Sequence, residues 1–276
     1  MDPATLLSAV LIGVVEGLTE FLPISSTAHI RLTEWATGFR DQGETFAVVI
    51  QLGAILAVCV YFWRRLWAVT STLHSDPASR RFALGLLIAS LPVAVIGLKC
   101  HDWLEVNVFG AYELGIIAAT AAVGGLIILA IERWRPSARH LDAAQLPLTT
   151  CLAIGFMQVL AMIPGVSRSG ASIMGAMCIG VDRRAATEFS FFLAIPLMLG
   201  ASGLKLYKHH DEVHGGFAVL IAVGFVMSFA VALAVVHWLL KWVATHNFRI
   251  FAWYRLAFGL VLALLLALKV IPLAVG

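Results

Sequence analysis

Long apolar stretches separated by short polar loops dominate the pattern of this chain. Six of them approach or exceed the length of about 20 residues that a helix needs to cross about 30 Å of hydrocarbon. These predicted spans lie near 45–63, 83–99, 112–131, 186–204, 217–240 and 251–271. The pattern therefore predicts an all-α polytopic membrane protein with about six full spans.

Two polar runs interrupt the apolar pattern and resemble diverged copies of one element. They cover residues 16–29 (EGLTEFLPISSTAH) and 164–170 (PGVSRSG). Each run follows an apolar stretch that opens on Ile-Gly, with Glu16 or Gln158 three residues after the glycine, and each contains a proline and a cluster of hydroxyl side chains. Counted from that isoleucine, the matching pairs are Ser25 and Ser167, Ser26 and Arg168, and Thr27 and Ser169.

Proline, glycine and hydroxyl side chains make both polar runs poor helix formers. We predict two re-entrant helical hairpins, over 1–37 and 148–182. Irregular backbone at membrane depth needs protein or a wet cavity around it, so the hairpin tips should face each other inside the bundle. Each hairpin begins a repeat, 1–136 and 147–276, within a single membrane domain. An odd number of spans in each half gives the two repeats inverted topology.

Composition and charge agree with a membrane protein. The chain is 61% hydrophobic and only 13% charged, unlike soluble globular domains. The net charge of +3 does not indicate a nucleic-acid partner, because the basic residues lie in loops and not along one face. The positive-inside rule places both chain ends outside. The loops predicted to be cytoplasmic contain Arg64, Arg65, Arg80 and Arg81; Arg133, Arg135 and Arg139; Arg183 and Arg184; and Lys241 and Arg249.

A pair of acids, Glu16 and Glu20, lies where the first apolar stretch meets the first polar run. The i, i+4 spacing places both carboxylates on one face of a helix. A charged side chain within a span costs about 2.5–3.5 kcal/mol on insertion scales, so an intramembrane acid indicates function. The alternative is an interfacial pair that is exposed to water or holds the hairpin by hydrogen bonds.

Three hydroxyl residues, Ser25, Ser26 and Thr27, come directly before an apolar helical stretch. One of them is expected to be an N-cap, and a structural role is favoured for Ser25. Ser25 and Thr27 are also predicted to bind the substrate phosphate. A helix N-terminus also offers free N–H groups and a positive dipole end to a phosphate. His29 follows one turn later, within reach of a hydroxyl or a bound phosphate, and its alternative role is packing.

Arg168 is the most informative residue of the second run. A guanidinium at membrane depth needs an anionic partner, and its fork geometry suits phosphate. The alternative is a structural ion pair with Glu16 or Glu20, and both roles are compatible. The hydroxyl and glycine residues around it that are predicted to bind phosphate are Gly165, Ser167, Ser169 and Gly170. Gln51, Glu34 and Glu188 are predicted to be structural.

The two polar runs together resemble the signature motifs of a known enzyme family. The pattern E-x3-E-F-L-P-x-S-S-T-x-H over residues 16–29 and the pattern P-G-x-S-R-S-G over residues 164–170 are similar to those of the bacterial undecaprenyl-pyrophosphate phosphatase family, also known for bacitracin resistance. The resemblance covers essentially the whole chain in length, motif order and span pattern. Ala28 stands where family members often have glycine, and we expect little effect from it.

The resemblance implies an inner-membrane enzyme that hydrolyses undecaprenyl pyrophosphate to undecaprenyl phosphate and inorganic phosphate, and so recycles the lipid carrier for cell-wall synthesis. It also implies dependence on a divalent cation, Mg²⁺ or Ca²⁺, and a site that faces the periplasm. The residues that it assigns to the site are Glu16, Glu20, Ser26, His29 and Arg168, with Thr27 and Ser169 in support.

A mechanism follows as a hypothesis. Arg168, the hairpin N–H groups and a divalent ion held by Glu16 and Glu20 clamp the two phosphates. Ser26 attacks the terminal phosphorus while Glu20 or His29 takes its proton. Direct attack by water and a nucleophilic His29 remain open. The isoprenoid tail should lie in a lateral opening lined by apolar residues.

Two other function classes compete with a phosphatase. Inverted repeats with broken helices are typical of transporters, so a flippase of anionic polyprenyl phosphate lipids, or a phosphatase that also flips lipid, is the alternative. A non-catalytic scaffold fits poorly with so many costly polar groups at depth. The sequence leaves the oligomeric state open, a homodimer included.

Overall fold

The computed structural model describes residues 2–39, 41, 45–107, 112–208 and 215–273, with the backbone alone over 101–107. The loop histidines His209, His210 and His214, for which the sequence predicts a solvated cluster, lie outside the described residues.

The described residues fold into eleven α-helices and no β-sheet. The prediction of an all-α protein is therefore confirmed. The helices are α1 (Pro3–Thr19), α2 (Ser26–Thr37), α3 (Thr45–Tyr61), α4 (Trp63–Ser71), α5 (Pro77–Asn107), α6 (Glu113–Trp134), α7 (Leu148–Val159), α8 (Arg168–Cys178), α9 (Arg183–Lys208), α10 (Gly215–Val243) and α11 (Arg249–Ala267).

Five helices, α5, α6, α9, α10 and α11, are long and apolar enough to span a membrane. A sixth span is formed if α3 and α4 are counted together, although the chain bends by 75° between them. The first predicted span, 45–63, therefore runs straight only as far as Tyr61. The prediction of a polytopic membrane protein is confirmed, with five or six spans.

Two pairs of shorter helices occupy the predicted hairpins. Helices α1 and α2 are separated by a tight irregular segment, and a 3₁₀ turn at Leu160–Met162 comes between α7 and α8. Ser25 and Ser167, which match in sequence, have φ angles of 75° and 73°. Non-glycine residues are uncommon in this left-handed region. The two hairpins therefore share an unusual backbone turn at the same position.

The long helices that pack against the two hairpins come from opposite halves of the chain. Helix α1 packs on α10, and α7 packs on α5. These contacts are close because they involve glycine: a Cβ at Gly13 would lie 2.5 Å from the carbonyl oxygen of Gly224, and a Cβ at Gly155 would overlap the carbonyl of Ala89. Each hairpin thus rests on a long helix of the other half. The inverted orientation of the halves, and the division into 1–136 and 147–276, stay predictions.

Two of the residues expected to be structural form ion pairs. Glu34 pairs with Arg31 at 3.3 Å. Glu188 pairs with Arg65 and Arg184, each at 3.0 Å.

Candidate active site

The tips of the two hairpins meet inside the bundle. The hydroxyls of Ser169 and Ser167 both donate to the carbonyl oxygen of Leu22, at 2.8 and 3.3 Å. Both serines are buried. These hydrogen bonds satisfy an irregular backbone carbonyl that lipid could not satisfy. They also hold the start of α8 against the turn that precedes α2.

Glu20 joins the chemistry of the two tips. Its Oε1 accepts from Arg168 Nη2 at 3.2 Å, and its Oε2 accepts from the hydroxyl of Ser26 at 2.6 Å. The three side chains come from the end of α1, the start of α2 and the start of α8. A buried carboxylate thus orients the hydroxyl of Ser26, which is six residues away in sequence, and the guanidinium of Arg168, which is 148 residues away.

Helix α9 completes the environment of Arg168. The carbonyl oxygen of Ser190 accepts from Arg168 Nη1 at 3.0 Å, and the hydroxyl of Ser190 bonds to that of Ser172 at 2.7 Å. The Nε–H of Arg168 is buried and has no hydrogen-bond partner among the described residues. Arg168 therefore keeps its Nε–H available after the tips have been joined.

A cavity of about 210 Å³ lies between the two tips. It is bounded by both polar runs, so residues of both could contact the same ligand here. The predicted site residues that line it are Glu20, Ser25, Ser26, Thr27, Gly165, Ser167 and Arg168.

A second cavity of about 170 Å³ contains Glu16. It shares Ser26, Thr27 and Gln51 with the first cavity. The Glu16 side chain is fully buried, and neither carboxylate oxygen has a hydrogen-bond partner in the part of the chain that the structure describes. A buried charge without a partner is costly unless a ligand compensates it.

Four residues of this second cavity, Glu16, Ser26, Thr27 and Gln51, have oxygen atoms that fit a divalent cation, and Arg31 also lines it. Carboxylate, hydroxyl and amide oxygens are the ligands that Mg²⁺ and Ca²⁺ prefer, and Mg²⁺ is usually held by one or two carboxylates together with substrate phosphates. No group of three His, Cys, Asp or Glu residues occurs within the described ranges. The two predicted metal-binding acids also differ, because Glu20 is engaged by Arg168 and Ser26 whereas Glu16 is not.

The starts of α2 and α8 differ in their capping. Ser25 occupies the N-cap position of α2, but its side chain forms no capping hydrogen bond. Ser167, at the N-cap of α8, accepts from the amide of Gly170 at 3.1 Å. The expected hydroxyl cap is therefore missing at Ser25. The first turn of α2 keeps the free N–H groups that favour an anion.

The imidazole of His29 contacts groups other than a serine hydroxyl. Its Nδ1 donates to the carbonyl oxygen of Ser25 at 2.7 Å, and its Nε2 is 2.6 Å from the hydroxyl of Tyr254. The ring stacks on Tyr254 and Phe258. Both nitrogens are thus occupied by groups other than the hydroxyl of Ser26, because the side chain turns toward α11.

Two more of the predicted phosphate-binding residues do not line the cavity between the tips. Ser169 is fully buried in its bond to Leu22, and Gly170 faces a lateral groove between α6, α7 and α8. The structure therefore gathers seven of the predicted residues in one cavity, places Glu16 in the adjoining one and leaves His29, Ser169 and Gly170 outside both.

A large apolar groove of about 750 Å³ runs along the outside of the first hairpin. Helices α1, α2, α10 and α11 form its walls. Among the residues that line it are Leu11, Val15, Leu18, His29, Trp238 and Trp242. The groove has the character expected of a lateral opening for an isoprenoid tail.

Arg255 is the polar residue near the site that the sequence reasoning missed. It is 1% exposed, and its guanidinium contacts the backbone of both tips. Its position inside a predicted span, 251–271, is a signal that could have found it, since an ionisable residue at membrane depth indicates function. Tyr254 and Ser190 were missed because nothing in the local pattern distinguishes them.

Comparison with known proteins decides the family. The sequence pattern of the family described as "Bacitracin resistance protein BacA" matches residues 9–261. The chain belongs to this family. "Undecaprenyl-diphosphatase 2" of Paramagnetospirillum magneticum is 50% identical over 266 residues, which cover 96% of this chain and 100% of that protein. "Undecaprenyl-diphosphatase" of Paracoccus denitrificans is 46% identical over 98% of this chain and 99% of its own length.

Proposed function

We propose that this member of the BacA family is an integral membrane phosphatase that hydrolyses undecaprenyl pyrophosphate to undecaprenyl phosphate and inorganic phosphate. The names of its relatives support the substrate. The observation that carries the reaction is the hydrogen-bonded set Ser26–Glu20–Arg168, which joins a hydroxyl, a carboxylate and a guanidinium in one cavity.

Ser26 is the nucleophile. Its hydroxyl donates to Glu20 at 2.6 Å, so the carboxylate is placed to take the proton as Oγ attacks the terminal phosphorus. The bond from that phosphorus to the bridging oxygen breaks, and undecaprenyl phosphate leaves. Glu20 passes the proton taken from Ser26 to the leaving undecaprenyl phosphate. Water then attacks the phosphoserine and gives its proton to Glu20, the bond between phosphorus and Oγ breaks as Glu20 returns that proton to Oγ, and inorganic phosphate leaves. His29 is not the base here, because its two nitrogens contact Ser25 and Tyr254.

Positive charge at the site offsets the charge of the pyrophosphate. Phosphoryl transfer depends mainly on positioning and on stabilising charge at the non-bridging oxygens. Arg168 offers its Nε–H, and the uncapped first turn of α2 offers amide N–H groups. Arg168 and the first residues of α2 line the cavity from opposite tips, so the substrate is held only when the tips are together.

Glu16 would hold the divalent cation, Mg²⁺ or Ca²⁺, with Thr27 and Gln51 facing the same cavity. When bound, such an ion supplies charge that lowers the repulsion between the attacking group and the phosphate oxygens. Ser26 lines both this cavity and the cavity between the tips.

The 750 Å³ groove is the seat that we assign to the isoprenoid tail. The positive-inside rule for the loop charges supports an inner-membrane protein whose first hairpin enters from the periplasmic side. In that orientation the site recycles the lipid carrier on the periplasmic face. A flippase would use Arg168 and the helix dipoles as well, but it has no use for a hydroxyl bonded to a carboxylate at 2.6 Å.

Phosphate release by the purified protein tests this proposal. The protein in lipid nanodiscs should release inorganic phosphate from undecaprenyl pyrophosphate in the presence of Mg²⁺, and chelation should stop it. Arg168→Met should lose the activity, whereas Arg249→Met, an exposed arginine on α11, should keep it. Folded protein that moves the lipid across the membrane but releases no phosphate would establish the transporter in its place.

A further inference from the structure

Arg255 is a buried cation that the reaction above does not use. It lies inside α11 and heads the group of largest fully buried side chains, at 1% exposed. Among the described residues it forms no ion pair with a carboxylate. A buried charge normally needs a partner of opposite sign, so its surroundings must compensate for the lost water in another way.

Five hydrogen bonds to backbone carbonyls provide that compensation. Nη1 donates to the carbonyl oxygens of Pro23 and Val166, each at 3.2 Å. Nη2 donates to those of Gly165 and Thr120, at 2.8 and 2.9 Å. Nε donates to that of Ala121 at 3.4 Å. A guanidinium has five N–H groups, so every donor is used.

These carbonyls belong to both hairpin tips and to α6. Pro23 precedes Ser26 by three residues, and Val166 precedes Arg168 by two. One planar group therefore binds the backbone immediately before the proposed nucleophile and immediately before the phosphate-binding arginine. The third anchor, on α6, ties both tips to a spanning helix.

Helix α6 is shaped to receive this guanidinium. A Cβ at Gly124 would overlap the guanidinium of Arg255, so a larger residue there would displace the guanidinium from its present place. The hydroxyl of Thr120 donates to the carbonyl oxygen of Pro164 at 2.7 Å and supports the second tip from the same turn of α6. Gly165 has a φ of +83°, a conformation that glycine adopts without strain.

The hydrogen bonds of Arg255 also show in which direction the carbonyl groups of the two tips point. Arg255 does not line the cavity between the tips, although Gly165 does. The carbonyls of Pro23, Gly165 and Val166 are therefore drawn away from that cavity and toward the arginine. A cavity for an anion is favoured by this arrangement, because the negative ends of three peptide dipoles point elsewhere.

We propose that Arg255 is a positioning residue that locks the two hairpin tips in register, so that Ser26 and Arg168 can act on one phosphate. The expected loss of kcat rests on the proposed phosphatase function. The expected loosening of the two tips rests on the geometry alone. Lysine cannot replace it fully, since an ammonium has three donors and no planar fork.

The kinetic experiment compares Arg255→Met and Arg255→Lys with matched changes at Arg249, which is exposed on the same helix. We expect kcat per folded enzyme to fall about 100-fold in Arg255→Met, because misplacement of reacting groups by about 1 Å costs that much. KM should stay within about threefold, and Arg255→Lys should recover part of kcat. Arg249→Met and Arg249→Lys should match the unmodified protein.

Hydrogen exchange measures how firmly Arg255 holds the two tips, and it does not require substrate turnover. In Arg255→Lys, peptides that cover 20–27 and 163–170 should exchange faster, whereas peptides from α10 should not change. If the unmodified protein released no phosphate, the proposed function would be wrong. The exchange measurement would still test whether Arg255 holds the two tips. Thr120→Val, which removes a support of the second tip alone, should speed exchange over 163–170 only.

Two results would overturn the inference. The first is a folded Arg255→Met or Arg255→Lys variant with unchanged kcat and unchanged exchange at both tips. The second is faster exchange that is spread evenly over the bundle, with unchanged kcat per folded molecule, because that pattern belongs to a residue that only stabilises the fold. If Arg255→Met does not fold, Arg255→Lys and Thr120→Val carry the test.

Discussion

The two hairpin tips share a backbone and differ in chemistry. Ser25 and Ser167 adopt the same rare φ, at 75° and 73°, and a helix begins directly after each. The first hairpin then supplies a hydroxyl bonded to an acid, and the second supplies a guanidinium. In the proposed reaction neither tip acts alone on the pyrophosphate. The difference shows that one backbone turn can support two kinds of functional group, a hydroxyl bonded to an acid and a guanidinium.

The two hairpins also differ in their side chains within the helix that precedes each tip. Glu16 and Gln158 match in sequence, and both are buried with side-chain oxygens that have no partner among the described residues. Only Glu16 has a charge, and only Glu16 lines a cavity next to Ser26. The first hairpin therefore supplies the acid to which we assign the cation, whereas both tips supply donors to the anion in the proposed site.

The largest effect is expected at the serine of the first tip. Ser26→Ala should lower phosphate release by at least about 10³-fold, because it removes the nucleophile of a covalent route. Ser167→Ala, which removes the cap of α8, should cost about tenfold or less, in line with about 1 kcal/mol for a lost cap. Assays on protein shown to be folded by circular dichroism measure both. A Ser26→Ala variant that kept a tenth of the activity would rule out the covalent serine.

The next effect tests the division of charge. Arg168→Ser gives the second tip the residue that the first tip has at the matching position, and it should lower kcat/KM about 10²- to 10³-fold, as loss of a charge-stabilising donor does. Arg249→Ser is the matched control on an exposed part of α11. Wild-type kcat/KM in Arg168→Ser would show that the second tip does not bind the phosphate.

A smaller effect is expected at the matched acid and amide. Glu16→Gln should lower activity about 10- to 100-fold and raise the Mg²⁺ concentration required, whereas Gln158→Met should leave both within about twofold. Thermal unfolding gives a second measurement: Mg²⁺ should raise the melting temperature of the unmodified protein but not that of Glu16→Gln. Equal Mg²⁺ responses in the two proteins would argue against a cation at Glu16.

The smallest effect concerns stability and should be the same for both hairpins. Gly13→Ala and Gly155→Ala each place a Cβ against the backbone of a neighbouring helix and should destabilise the protein by about 1–3 kcal/mol. Gly200→Ala, whose Cβ meets nothing within 4 Å, should be neutral or slightly stabilising. Unfolding in detergent measures all three. Destabilisation of one hairpin only would show that the two do not pack alike.

Much of the architecture could be predicted because it depends on local patterns. Apolar length predicts spans, and the Pro, Gly and Ser runs predict where helices break, so the all-α fold and the positions of both tips followed from residue order. The bend between α3 and α4 was missed, since the apolar pattern continues through Tyr61 without a proline or glycine at the break. The local sequence therefore does not predict the bend.

The sequence was sufficient to predict which types of side chain form the proposed site. A hydroxyl, two acids and an arginine are costly in an apolar chain, so their presence indicates function. Only the folded chain decided which of them touch. His29 is next to the serines in sequence but turns to Tyr254, whereas Arg255 is 87 residues from Arg168 in sequence and supports its loop. Direction and distance between side chains come from packing of remote helices, and no local pattern encodes them.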